Sequence, residues 1–191
     1  MIDTIRLSKS SISKIEKDAV VRVLDKEFLG MGEEVKIFEK KIKSYLQTDM
    51  EVVCINTGTS ALHLSLSALD LKNGDEVLVP SLTYVASYQA ISATGAIPIS
   101  CEINPDTLFI DMEDAKKKIT KNTKAIMPVH YASSSKGMDK VYKLADEFNI
   151  RVIEDAAQAF GSVRSKKKIG TYGDVICFSF DGIKNITSGE G

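Results

Sequence analysis

Apolar residues recur along this chain first with a helical period and then in short runs that alternate with helical stretches. Between Ser11 and Glu27, the residues Ile12, Ile15, Ala19, Val20, Val23 and Leu24 fall on one stripe, and Ser11 can cap the start. Phe28–Gly32 is a glycine turn, after which Val35, Phe38, Ile42 and Leu46 mark one side of a second amphipathic helix. From there the pattern changes. Val52–Ile55, Glu76–Val79, Ile97–Ile103, Ala125–Val129, Arg151–Ile153 and Val175–Ser179 read as strands. The turn Asn56–Ser60 opens a helix running through Leu71, and Val85–Thr94, Met112–Ile119 and Met138–Phe148 read as further helices. Strand and helix in alternation predict an α/β fold: a mostly parallel sheet flanked by helices on both faces. Ligands of such sheets bind beyond the carboxyl ends of the strands. That edge would gather Asn56–Ser60, Ser81–Tyr84, His130, Asp155–Gln158 and Ser179–Lys184.

Composition narrows the function classes. A chain of 191 residues can bury one sizeable core, and no repeat or linker divides it. A net charge of -1 gives no electrostatic case for nucleic acid or an anionic membrane, and the lysine runs 116–118 and 166–168 read as solvated faces. No window approaches the roughly 18 apolar residues of a membrane span. Ile2–Arg6 leads into no apolar block of the kind a signal peptide carries, so the cytoplasm is the expected compartment. Cys54, Cys101 and Cys177 sit in apolar strand-like runs without a CxxC pair, which suits buried small hydrophobes rather than metal ligands.

The polar clusters each admit a chemical and a plain reading. Thr57-Gly58-Thr59-Ser60 opens a helix directly after an apolar run, where free N–H groups and the helix dipole suit a phosphate. It is also an ordinary helix cap. It matches neither G-x-G-x-x-G nor the Walker motif with its lysine, so a phosphate here would belong to some other cofactor. Asp155 leaves a buried strand with Gln158 three residues on, one face of a turn. A carboxylate there needs a cationic partner, and a protonated pyridine nitrogen would serve, stabilised by about 1.4–4 kcal/mol. Alternatively Asp155 caps the next helix. Tyr84 can stack on a flat ring or lie in a surface loop; His130 can contact a ligand or be structural, and His63 reads as a buried structural residue. Lys184 follows the last strand, five residues after Ser179, either as a solvated loop residue or as an amine placed to condense with an aldehyde.

Taken in order, these segments resemble the pyridoxal-phosphate sugar aminotransferases of the DegT/DnrJ/EryC1/StrS family. The match runs from about Ile5 to Gly191 through Asn56–Leu62, Gly74–Val77, Pro80–Ser87, Pro128–His130, Glu154–Ala159, Gly173–Val175 and Ser179–Asn185. The resemblance implies the large domain of a fold-type I transferase with pyridoxal 5'-phosphate as cofactor. Lys184 would be the Schiff-base lysine and Asp155 the partner of the pyridine nitrogen. Gln158 would bond the ring hydroxyl, Tyr84 would stack on the ring, and Gly58, Thr59 and Ser179 would hold the phosphate. It further implies glutamate as amino donor, a nucleotide-linked keto-deoxy sugar as acceptor, a homodimer, and a place in amino-sugar or O-antigen biosynthesis.

Related sugar dehydratases carry histidine where this chain has Lys184, which favours transamination over dehydration. Asp181-Gly182-Ile183 before the lysine resembles enzymes acting at C4 of 4-keto-6-deoxy sugars, such as those yielding dTDP-4-amino-4,6-dideoxyglucose from dTDP-4-keto-6-deoxyglucose. Two alternatives stand beside this: a dehydratase or lyase of the same fold, and a regulator that keeps the fold without the chemistry. Family chains are about twice this length. Residues 1–191 would thus be an N-terminal segment plus most of the cofactor-binding domain, lacking the small C-terminal domain and poorly stable or inactive alone.

Overall fold

The computed structural model describes residues 8–191; the reading of Ile2–Arg6, and the start of the resemblance at Ile5, lie outside the described residues. Two helices lead the chain, α1 (Lys14–Asp25) and α2 (Glu33–Leu46). Then come α3 (Gly58–Ser67), β1 (Glu76–Pro80), α4 (Val85–Ala93), β2 (Ile97–Cys101), α5 (Met112–Lys118), β3 (Thr123–Ile126), α6 (Met138–Phe148) and β4 (Arg151–Asp155). A two-residue hairpin, β5 (Val163–Arg164) with β6 (Lys167–Lys168), precedes β7 (Val175–Cys177). The sheet is parallel throughout, in the order β2-β1-β3-β4-β7.

The alternation of a strand's side chains builds the layers. In β1, Val77, Leu78 and Val79 are all fully buried. Leu78 packs with Ile126 and Val152 beneath Met138, Val141, Leu144 and Ala145 of α6 and Ala115 of α5. Val77 and Val79 point the other way, joining Ala125, Met127 and Ile153 beneath Leu62 and Leu66 of α3 and Ala90 and Ile91 of α4. Strands buried on both faces explain why they read as short, almost continuous apolar runs.

Four expectations change. Val52–Ile55 forms no strand. It lies opposite the open edge of β7 across a groove of about 680 Å³, and one of its amides, that of Cys54, is taken by the Glu39 carboxylate at 2.9 Å instead. A strand is a pairing, and among the described residues no backbone reaches this one. Cys54 and His63 are half-buried rather than buried, while Cys101 and Cys177 are buried. The first helix is capped by Ser13, in a capping box with Glu16, not by Ser11, and among the described residues the apolar stripe on α1 stands mostly exposed. Lys168 is not merely solvated: its ammonium donates to the Tyr45 carbonyl at 2.6 Å and sits 4.1 Å over that ring.

Candidate active site

The carboxyl ends of β1, β3, β4 and β7 converge on one edge. At its centre is Asp155, the last residue of β4 and only 6% exposed. It is not a helix cap. Its Oδ2 accepts from the Ser87 hydroxyl of α4 at 2.8 Å, and its Oδ1 accepts from the Ala157 amide at 3.2 Å. Thr83 bonds Ser87 in turn, at 2.7 Å. Burial raises the Asp155 pKa above the ordinary carboxylate value; the Ser87 and Ala157 donors, and then the charges of Lys184 and His130, draw it partly back. Such a group is short of positive charge, and a cationic ring nitrogen fits it.

A candidate anion cradle assembles from two elements. Thr57 caps α3, its Oγ1 accepting from the Ser60 amide at 2.9 Å and its carbonyl from Ala61 at 3.0 Å. Among the described residues the Gly58 and Thr59 amides keep no internal partner, so they stay open to an anion at the positive end of the helix. A side chain at position 58 would place its Cβ 3.0 Å from Ser179 Cβ and 3.3 Å from its hydroxyl. Glycine therefore lets the helix end and the buried Ser179, two residues past β7, close on one small space.

Lys184 is half-buried on the Asp181–Gly189 loop, its amide bonded to the Asp181 carbonyl at 3.0 Å, and its charge reaches Asp155 across the edge. Gln158 is oriented by its surroundings. Its Oε1 accepts from the Ala132 amide at 2.9 Å, and its carbonyl accepts from the Ser133 hydroxyl, which leaves the side-chain NH2 to donate. Tyr84 stands at the start of α4, its side chain making no capping bond and the residue 74% exposed, one turn before Ser87. His130 does not face the edge at all: its ring is fully buried beneath it. Ser87 and the Ala132 amide were not anticipated. The Thr83–Ser87 spacing, one turn of a helix starting at the active edge, was the available signal for the serine.

A helix end with open amides, a buried serine, a buried acid and a lysine thus lie along one edge of a parallel sheet, an arrangement whose chemistry suits a phosphorylated, cationic aromatic aldehyde. The signature of the DegT/DnrJ/EryC1/StrS aminotransferase family matches residues 10–191, and the chain belongs to that family. It is 44% identical over 160 residues to a GDP-perosamine synthase of Vibrio cholerae, covering 84% of this chain and 43% of that one. A GDP-perosamine synthase of Escherichia coli O157:H7 is 42% identical, with 95% and 50% covered. Among solved structures, the sugar aminotransferase Spr1654 of Streptococcus pneumoniae, in its PLP form, superposes with a TM-score of 0.92 at 33% identity, covering 98% of this chain and 51% of that one. These neighbours bear out the fold-type I architecture. The chain spans about half the length of the relatives it matches.

Proposed function

We propose that the intact protein uses pyridoxal 5'-phosphate to move an amino group from an amino acid, in our reading glutamate, to the keto carbon of a nucleotide-linked keto-deoxy sugar. The observation that carries this is the placement of the buried Asp155 and of Lys184 on one sheet edge, where the lysine charge helps draw the Asp155 pKa back down. When bound, the cofactor supplies an electron sink for a carbon that loses a proton. The Gly58 and Thr59 amides and the Ser179 hydroxyl hold its phosphate. The Asp155 carboxylate keeps the ring nitrogen protonated, the Gln158 amide donates to the ring oxygen, and Tyr84 lies against one face. Lys184 Nζ, besides anchoring the cofactor, takes the proton from one carbon and returns it to another.

The Asp181-Gly182-Ile183 run supports a 4-keto-6-deoxy sugar as acceptor. Relatives named for GDP-perosamine are more alike to this chain than the 35%-identical dTDP-4-dehydro-2,3,6-trideoxy-D-glucose 4-aminotransferase of Saccharopolyspora spinosa, so a GDP sugar is the first choice and dTDP-4-keto-6-deoxyglucose the second. A homodimer in the cytoplasm, feeding amino-sugar or O-antigen assembly, belongs to the same reading. The test offers both nucleotide sugars and glutamate to the intact, cofactor-loaded protein. We expect an amino sugar and one 2-oxo acid per turnover, and loss of covalent cofactor attachment in Lys184→Ala. Sugar conversion without consumption of glutamate would instead support the dehydratase alternative, and a wild-type protein that binds no cofactor would support the regulator.

A further inference from the structure

We propose that His130 is a positioning residue that holds Gln158, and with it the ring-facing edge, from underneath the sheet. The inference rests on the reading of Asp155 and Gln158 as cofactor residues. Adjacent strand residues point to opposite faces, so Asp155 turns toward Ser87 on α4 while Glu154 turns toward α6. Glu154 is almost fully buried there. Its Oε2 lies 2.7 Å from His130 Nε2, and its Oε1 accepts from the Tyr142 hydroxyl at 2.6 Å with Arg164 Nη1 at 3.8 Å.

The other side of the His130 ring carries the argument. Nδ1 lies 3.1 Å from the Ser134 carbonyl, which has only lone pairs to offer, so Nδ1 bears a hydrogen and donates it. That bond closes the loop 131–134 into a tight turn, where Ala132 and Ser133 take left-handed φ values of 49° and 66°. The same two residues present the donors that fix Gln158, Ala132 by its amide to the side chain and Ser133 by its hydroxyl to the carbonyl. The His130 amide meanwhile donates to the Asp155 carbonyl at 3.0 Å, and the Asp155 amide to the Pro128 carbonyl at 2.9 Å. The ring thus ties a carboxylate below the sheet to the turn that holds Gln158, while the backbone amide of the same residue holds the Asp155 carbonyl.

Amide substitutions separate the two ends of the ring. Asn can reproduce the Nδ1 donor to Ser134, and Gln can reproduce the contact with Glu154. Cofactor affinity, the visible dichroism of the bound cofactor and the melting temperature would be measured on the intact protein for His130→Asn, His130→Gln and His130→Phe, each with Gln158 and with Gln158→Ala. We expect His130→Gln and His130→Phe to weaken cofactor binding roughly three- to tenfold and to alter the dichroism, with His130→Asn close to wild type. In the Gln158→Ala background the same changes should add little. Affinity that follows melting temperature across all three variants, or effects that simply add to Gln158→Ala, would overturn the inference. If Phe does not fold, the Asn and Gln variants alone decide. Hydrogen exchange at the Ala132 amide gives a readout without cofactor: His130→Gln should release it, and unchanged protection there would also overturn the proposal. A wild-type protein that binds no cofactor would sink the functional reading and leave that exchange test standing.

Discussion

Asp155 is an acid almost wholly withdrawn from water, with hydroxyl and amide donors but no cation in direct contact. Its raised pKa means that the fold without cofactor binds a proton more tightly than the unfolded chain does. Stability from this group is therefore fully present below the unfolded value of about 3.9 and is lost as pH rises through the raised one. Asp155→Asn should raise the melting temperature of the cofactor-free protein at pH 7 by a few degrees, flatten that pH slope, and lower kcat/KM by about 100-fold or more. Thermal melts at pH 4 and pH 7 beside turnover assays would check this; a lower melting temperature at pH 7 would show that the lost donors matter more than burial. Gly58→Ala is the complementary case. Its new methyl would press on Ser179, so we expect cofactor affinity to fall about tenfold in a titration while stability moves by no more than about 1 kcal/mol. At this scale the placement of Asp155, Gln158, Ser179, Gly58 and Lys184 on one edge was legible because each follows a strand or opens a helix there. Ser87 was not, because its role exists only once α4 lies over β4. His130 was misplaced between two readings for the same reason: a strand-end position does not say which face the ring takes.

Among the elements, the parallel sheet and its two helix layers follow from the alternation of buried side chains, and the predicted strands from Glu76 onward all appear within a few residues of their expected ends. The hairpin β5–β6 escaped notice because its turn puts Ser165 and Lys166 at φ 49° and 67°, a conformation that glycine or asparagine usually announces. Val52–Ile55 failed in the opposite sense, having the residues of a strand but no neighbour to bond. The loop into β7 depends on Gly173, whose φ is +151° and whose missing Cβ would sit 2.7 Å from both Ile176 Cδ1 and the Tyr142 hydroxyl. Gly173→Ala should cost about 1–3 kcal/mol in urea unfolding, and it would disturb the Tyr142–Glu154 bond beneath the site. An unchanged midpoint would show that the loop yields freely.

For the molecule as a whole, two surfaces are unlike those of a self-sufficient domain. The open edge of β7 faces the groove lined by Val52–Ile55, and Ile15, Val20, Leu24, Phe28, Leu29 and Met31 stand exposed along α1 and the turn after it. An uncovered strand edge and a contiguous apolar face both favour association. The 191-residue chain alone should therefore self-associate at micromolar concentration, which sedimentation velocity over a dilution series would reveal; a single monomeric species throughout would contradict it.

The tie between Ala132 and the oxygen of Gln158 reaches beyond shape. With that oxygen turned toward the Ala132 amide, the side chain aims its NH2 at whatever lies above it. A ring that still carried a hydrogen on its own oxygen would have to turn it aside, whereas an ionised ring would be welcomed. The pocket would thus sort its guest by protonation state, and an analogue lacking that oxygen altogether would leave Gln158 with nothing to greet.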